Sequence, residues 1–195
     1  MKKYLVLRPR FGETLKLELV PDYYPFNRTL AIELMDGDKY YDTLTCCLDD
    51  APGKNCAYID VISMGSDIVL HLEDSGFGRL TGKTCQSGYV IYPEFEFDAD
   101  ILEAYMNKNY HQYLKWQDQL KEDEEFIRSI CEQCLTDYTF IVKKGTALKY
   151  REYDEGRPYQ LQDIFTELTD EERGLFARGR KLCGACFKEQ LHLKK

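Results

Sequence analysis

Cys131-Glu132-Gln133-Cys134 and Cys183-Gly184-Ala185-Cys186 form two Cys-x-x-Cys pairs with 48 residues between them, and their reading decides the C-terminal fold. A two-residue spacer lets both sulfurs of a pair reach one metal, so two pairs can close a tetrahedron of thiolates around a single Zn²⁺. The competing reading is a redox dithiol, which belongs at the start of a helix after a strand in a βαβ unit. Nothing around either pair alternates that way. The spacing therefore assigns Cys131, Cys134, Cys183 and Cys186 as metal ligands and Zn²⁺ as the ion.

Outward from these pairs, Thr139 to Val142 and Ala147 to Tyr153 are strand-like around Lys143-Lys144-Gly145-Thr146, which predicts a hairpin directly after the first pair. Thr169-Asp170-Glu171-Glu172 fits a capping box and predicts a short helix toward Arg178. The second pair leads into Phe187 to Leu193, helical in pattern. Knuckle, hairpin, insertion and a cysteine pair opening a helix is the order of a treble-clef zinc finger. The string Cys183-Gly-Ala-Cys-Phe187 resembles the second half of the fingers of GATA-type DNA-binding proteins, although the spacing between pairs is far longer here. Treble clefs also serve protein contacts and structural stapling.

Upstream, Asp98 is a candidate cap for a long helix whose periodicity follows Leu102, Met106, Tyr110, Tyr113 and Leu120, with Trp116 alongside. The acidic run Glu122 to Glu125 interrupts it before Phe126, Ile127 and Ile130 resume. This segment reads as a helical arm, its aromatic stripe as core. Before it, Leu15, Leu17 and Leu19 alternate with Lys16 and Glu18, and Leu30, Ile32 and Leu34 with Ala31 and Glu33, as half-buried strands do. Asp36-Gly37-Asp38 predicts a tight hairpin into Tyr40 to Leu48. Ala57 to Ile62 reads as a short strand, Ser66 as the cap of a helix through Leu72 ending at Gly76, and Gly78 to Gly88 as loop. Gly88 to Phe97 is an aromatic strand in which Pro93 marks a bulge or an edge.

The chain has 195 residues, enough for one large or two small domains, with 44% hydrophobic and 31% charged residues. The basic start is followed by only four apolar residues, too few for a signal-peptide core. Eight cysteines without a secretion signal favour metal ligation and free thiols in a cytoplasmic setting. Net charge is −8, with 10 basic against 17 acidic residues in 1–100. From Arg173 to Lys195 the balance reverses, with Arg178, Arg180, Lys181, Lys188 and Lys194 also basic and Glu189 the one acid. Such a segment beside a zinc site suits phosphates or an acidic protein surface, and equally a solvated helix with lysines near its C-terminal end.

Arg28-Thr-Leu-Ala-Ile-Glu-Leu34, Gly76-Phe-Gly-Arg-Leu-Thr-Gly-Lys83 and Ser87-Gly-Tyr-Val-Ile-Tyr-Pro-Glu-Phe-Glu-Phe-Asp98 carry a second resemblance. They resemble an uncharacterised family of small acidic proteins, a domain of unknown function, carried on phages and conjugative elements of Gram-positive gut bacteria. The resemblance covers about residues 28–100 and supplies no catalytic residues. It implies a mobile-element setting, in which small intracellular proteins often block host defences such as CRISPR nucleases or restriction enzymes.

Other constellations are weak. Gly78-x-x-x-Gly82-Lys83-Thr84 has a three-residue spacer where a phosphate-binding loop needs four, and it runs toward a strand rather than into a helix. Cys46, Cys47, Cys56 and Cys85 with His71 have no spacing that marks a nucleophile and its base, nor a second metal site. The expectation is an α+β protein: an antiparallel sheet domain with a covering helix over 1–100, then a helical arm and a treble-clef-like zinc-binding domain over 101–195. Functionally it reads as a non-enzymatic binder that occupies a host effector protein, a nuclease or nucleoprotein, with Asp36, Asp38, Asp49 and Asp50 facing basic channels. The alternative is a nucleic-acid-binding regulator using the finger and the basic C-terminal segment.

Overall fold

The computed structural model describes residues 2–7 and 13–193, apart from the side chains of 190–193. The chain divides into two units, Met1–Gln119 and Leu120–Lys195. The first holds two four-stranded antiparallel sheets. Strands β1 (Leu5–Leu7), β2 (Leu15–Tyr23), β3 (Leu30–Asp36) and β4 (Lys39–Thr43) follow one another across the first sheet. Their inward residues Leu17, Leu19, Leu30, Ile32 and Leu34 are buried, as the alternation predicts. Gly37 takes φ 59° in the two-residue loop that turns β3 into β4, a conformation glycine adopts without strain.

The second sheet is built from β5 (Thr45–Cys46), β6 (Cys56–Ile59), β7 (Gly78–Ser87) and β8 (Val90–Phe97) in the order β5-β6-β8-β7. Leu44 links the sheets, donating its N–H to Ile32 at 2.8 Å and accepting from Asp60 at 2.9 Å. β7 occupies the stretch expected to be loop. Its residues are exposed or half-buried throughout, so the sequence shows no apolar alternation, and it is held by pairing with β8 and by the Leu80 N–H, which donates to the Glu73 carboxylate at 2.7 Å. The β7–β8 register slips between Leu80 and Thr84, the latter opposite Pro93, as a proline that cannot donate to the ladder requires.

Among the described residues four short helices complete this unit, where a covering helix and a long helix from Ala99 are expected. Asp60 caps α1 (Val61–Met64) through the N–H groups of Ile62 and Ser63. α2 (Ile68–Asp74) starts after Asp67 rather than Ser66, and Gly76 past its end has φ 67°. The long helix expected from Ala99 is two: α3 (Ala99–Glu103), capped by Asp98, and α4 (Lys108–Gln117). Asn107 separates them, because its side chain accepts from Asn109 and Tyr110 as the cap of α4 while donating to the Pro21 carbonyl at 2.7 Å. Leu102, Tyr110 and Tyr113 join Leu72, Phe95 and Phe97 in one core. Residues 101–119 thus belong to the first unit, and the boundary falls after Gln119 rather than at 100. Burying each Phe ring contributes on the order of 2–3 kcal/mol.

The second unit opens with strand, not helix. β9 (Glu124–Ile130) pairs antiparallel with β10 (Asp137–Lys143), with Ile130 opposite Asp137 at the turn. Phe126 and Ile127 are both buried though adjacent, which suits a strand covered on two faces and not a helix stripe. Ala147 to Tyr153, expected as strand, lies in α5 (Lys144–Asp154), because Ala147, Tyr150 and Tyr153 recur at helical spacing. Tyr150 packs on Phe165 and Phe176 with centroids 5.4 and 5.1 Å away. α6 (Leu161–Ile164), α7 (Asp170–Arg173) with the expected Thr169 capping box, a 3₁₀ turn at Gly174–Phe176 and α8 (Gly184–Leu193) follow. Among the described residues no helix is long and apolar enough to cross a membrane.

Gly78 sets a stability test. A Cβ there would lie 2.0 Å from the Glu96 carbonyl oxygen and 2.8 Å from the Phe95 ring. Gly78→Ala should therefore cost about 1–3 kcal/mol, read as a lower urea midpoint at unchanged slope.

Candidate metal centre

The β9–β10 turn holds the first cysteine pair. The Cys131 N–H donates to Thr136 at 3.0 Å and the Leu135 N–H to Cys131 at 2.9 Å, while Leu135 takes φ 58° to close the knuckle. This corrects the expected order, since the knuckle lies inside the hairpin and a helix follows it. The second pair is brought in when the Glu132 N–H donates to the Lys181 carbonyl at 2.8 Å. Cys183 then sits just before α8 and Cys186 in its first turn.

The four sulfurs of Cys131, Cys134, Cys183 and Cys186 lie within 4.8 Å of one another, with Cys134 and Cys183 at 3.9 Å. Tetrahedral thiolate bonds of about 2.3 Å put sulfurs roughly 3.8 Å apart, so the cluster fits one metal ion with little movement. Cys131, Cys183 and Cys186 are buried with Ile127, Phe165, Phe176 and Leu182 in the second unit's core, and Cys134 is exposed.

The surroundings favour thiolate at Cys131 and Cys183. Against the burial that would raise it, the N–H groups of Cys134, Cys183 and Gln133 hold Cys131 down at about 6. The Cys183 N–H lies 3.4 Å from the Cys131 sulfur. Cys183 is held low by the Cys186 N–H at the start of α8 and by the Tyr138 hydroxyl. Burial pushes Cys186 up to about 12, and the neighbouring sulfurs add to it. Without a cation the set can lose its first proton readily and its last only with difficulty. Tyr138 and the amides facing the sulfurs are positioning groups of the kind that orient metal ligands. Sequence reasoning missed Tyr138, whose place in β10 shows only once the hairpin is known.

The other candidates do not converge. Cys46, Cys47, Cys56 and Cys85 each make a local contact, to Tyr58 O, Asn27 Oδ1, Lys54 O and Gln86 O. The four-cysteine cluster is the one grouping of metal-type ligands among the described residues. His71 Nε2 is held by the Val6 carbonyl at 2.8 Å. Gly82 and Lys83 lie in strand β7 and form no phosphate cradle. Asp36 and Asp38 flank the exposed β3–β4 turn, while Asp50 accepts from the Tyr58 hydroxyl at 2.8 Å and Asp49 is exposed beside it. In the basic segment, Arg173 is bound to the Phe165 and Leu168 carbonyls and Arg178 to those of Tyr153 and Arg157. Lys188 pairs with Glu171 at 2.5 Å. Lys194 and Lys195 lie outside the described residues.

Two outcomes follow from this geometry. Because metal binding is folding energy of about 10 kcal/mol or more in small thiolate domains, Cys183→Ser should abolish amide-exchange protection in β9, β10 and α8 and leave that of β2, β3 and β8 in place. Burial pushes Cys46 and Cys56 up to about 12 and Cys47 to about 11. At pH 8 a thiol shifted from 9 to 11 offers roughly a hundredfold less thiolate, so peptide mapping after alkylation should show these three reacting slowly, gaining speed only above pH 10.

A protein-family model described as a domain of unknown function, DUF4313, matches residues 17–117. No curated protein and no solved structure matches the chain.

Proposed function

The chain belongs to the DUF4313 family, and from that premise we propose that it is a non-enzymatic, zinc-stapled binding protein of a bacterial mobile element that inhibits a host defence nuclease or nucleoprotein in the cytoplasm. The carrying observation is the kind of site it has: its most developed constellation is a four-sulfur cluster packed into a core. Four protein ligands leave no open position for water or substrate, so such a metal staples rather than reacts. Soft thiolates in a tetrahedron suit Zn²⁺. The first unit carries the acidic excess, which steers it toward the basic channels that nucleases present to nucleic acid. The nucleic-acid-binding alternative has less support, because Arg173, Arg178 and Lys188 are committed to contacts within the second unit.

Two measurements test this reading. Metal analysis of protein purified without added metal should give one zinc per chain, and less than half an equivalent, or iron in its place, would remove zinc from it. Titrated against a candidate host nuclease, the protein should inhibit to saturation at a fixed molar ratio. Inactivation of a large excess of nuclease by a trace of the protein would show turnover and overturn the binding reading.

A further inference from the structure

We infer that the outer face of the first sheet is the docking surface, and that it receives a basic protein surface whose Lys or Arg side chain enters the recess between Asp22 and Glu33. The inference rests on the binding role proposed above and assigns that role a place. Alternation along the strands fixes the face. With Leu17, Leu19, Ile32 and Leu34 turned into the core, the half-buried Glu18, Val20 and Asp22 of β2 and Glu33 and Met35 of β3 lie on the opposite face, where Ala31 is buried. Across the ladder, Glu33 stands between Val20 and Thr43, Met35 between Glu18 and Tyr40, and Asp22 opposite Ala31. The Tyr40 hydroxyl meets Thr43 Oγ1 at 2.9 Å on this same side. Val20, Met35 and the 58%-exposed Tyr40 thus make an apolar strip between carboxylates.

A recess of about 380 Å³ opens at one end of the strip, lined by Asp22, Glu33, Thr43, Tyr24 and Asn109. Asp22 accepts from the Tyr23 N–H at 2.7 Å and from the Asn109 amide at 3.1 Å, which hold its carboxylate in place. Among the described residues no ion pair joins either Asp22 or Glu33 to a cation, whereas Glu18 on the same face is paired with Lys2 at 2.8 Å. Burial raises the Glu33 carboxyl above its ordinary range and the Asp22 charge raises it further. A guanidinium or ammonium group between the two would relieve both effects, and its alkyl stem would lie on apolar wall. The same charges repel phosphate, so the face suits a basic protein and not a nucleic acid. Tyr40 and Met35 are side chains of the types enriched at interface cores.

The test uses the full metal-loaded chain and octa-arginine as probe. In titrations followed by NMR, amide shifts should concentrate at Ala31, Glu33, Thr43 and Asn109. Asp22→Asn/Glu33→Gln should weaken binding at least tenfold, while Asp74→Asn/Glu103→Gln, an equal charge change at exposed positions off the face, should leave it within twofold. Glu33→Gln alone, checked by its thermal midpoint, guards against a folding artefact and should still weaken binding at least threefold. Equal loss in both double variants, or shifts that map elsewhere, overturns the surface. Inhibition of the host nuclease that survives Asp22→Asn/Glu33→Gln and Met35→Lys also overturns it while the inhibitory reading stands. Probe binding as described with no nuclease inhibited keeps the surface and removes that reading.

Discussion

Four sulfurs within 4.8 Å of one another cannot all be thiolates without a cation among them, and the second unit is built so that they must be close. The β9–β10 turn fixes one pair and the start of α8 the other, so neither can retreat without opening a buried core. Three of the four cysteines, Cys131, Cys183 and Cys186, are themselves core residues beside Phe165 and Phe176. The unit has only a short hairpin and small helices besides, and below about 70–80 residues a hydrophobic core alone rarely supplies more than a few kcal/mol. A metal ion held there would convert repulsion into four bonds and stabilise such a unit.

The first unit solves a different problem. Its two sheets share one apolar core, Leu19 and Ile32 from one and Phe95 and Phe97 from the other, with α2, α3 and α4 supplying Leu72, Leu102 and Tyr113. No metal ligands are needed, and its four cysteines serve as small, partly buried side chains with local contacts. This leaves the outward faces to carry polar chemistry. The residues matched by the family model, 17–117, span most of this unit and stop short of the cysteine pairs.

Charge follows the same division. In the first unit the carboxylates of Asp22 and Glu33 share a surface with half-buried Val20 and Met35 and exposed Tyr40, the combination on which the proposed docking of a basic partner rests. In the second, arginines that look available in sequence are consumed internally. Arg178 lies over the Tyr153 ring at 3.9 Å with its guanidinium on main-chain carbonyls, and Arg173 ties the end of α6 to α7.

What the sequence determined by itself is whatever a short spacing or a clean period encodes. Two Cys-x-x-Cys pairs marked the four cysteines that the fold gathers into one cluster, because the spacer is a local geometric constraint. The alternating leucines of β2 and β3, the Gly37 turn and the Thr169 box were legible for the same reason. The tertiary structure decided the rest. β7 is exposed over most of its length, so no pattern marks it, and only its partner β8 makes it a strand. Ile127 and Ala147 each fit either period over a few residues, and the core they enter chose strand for one and helix for the other. The break at Asn107 depends on the Pro21 carbonyl, 86 residues away in sequence. Tyr138 reaches Cys183 only because β10 returns beside the knuckle, and contacts of that range are invisible until the chain has folded.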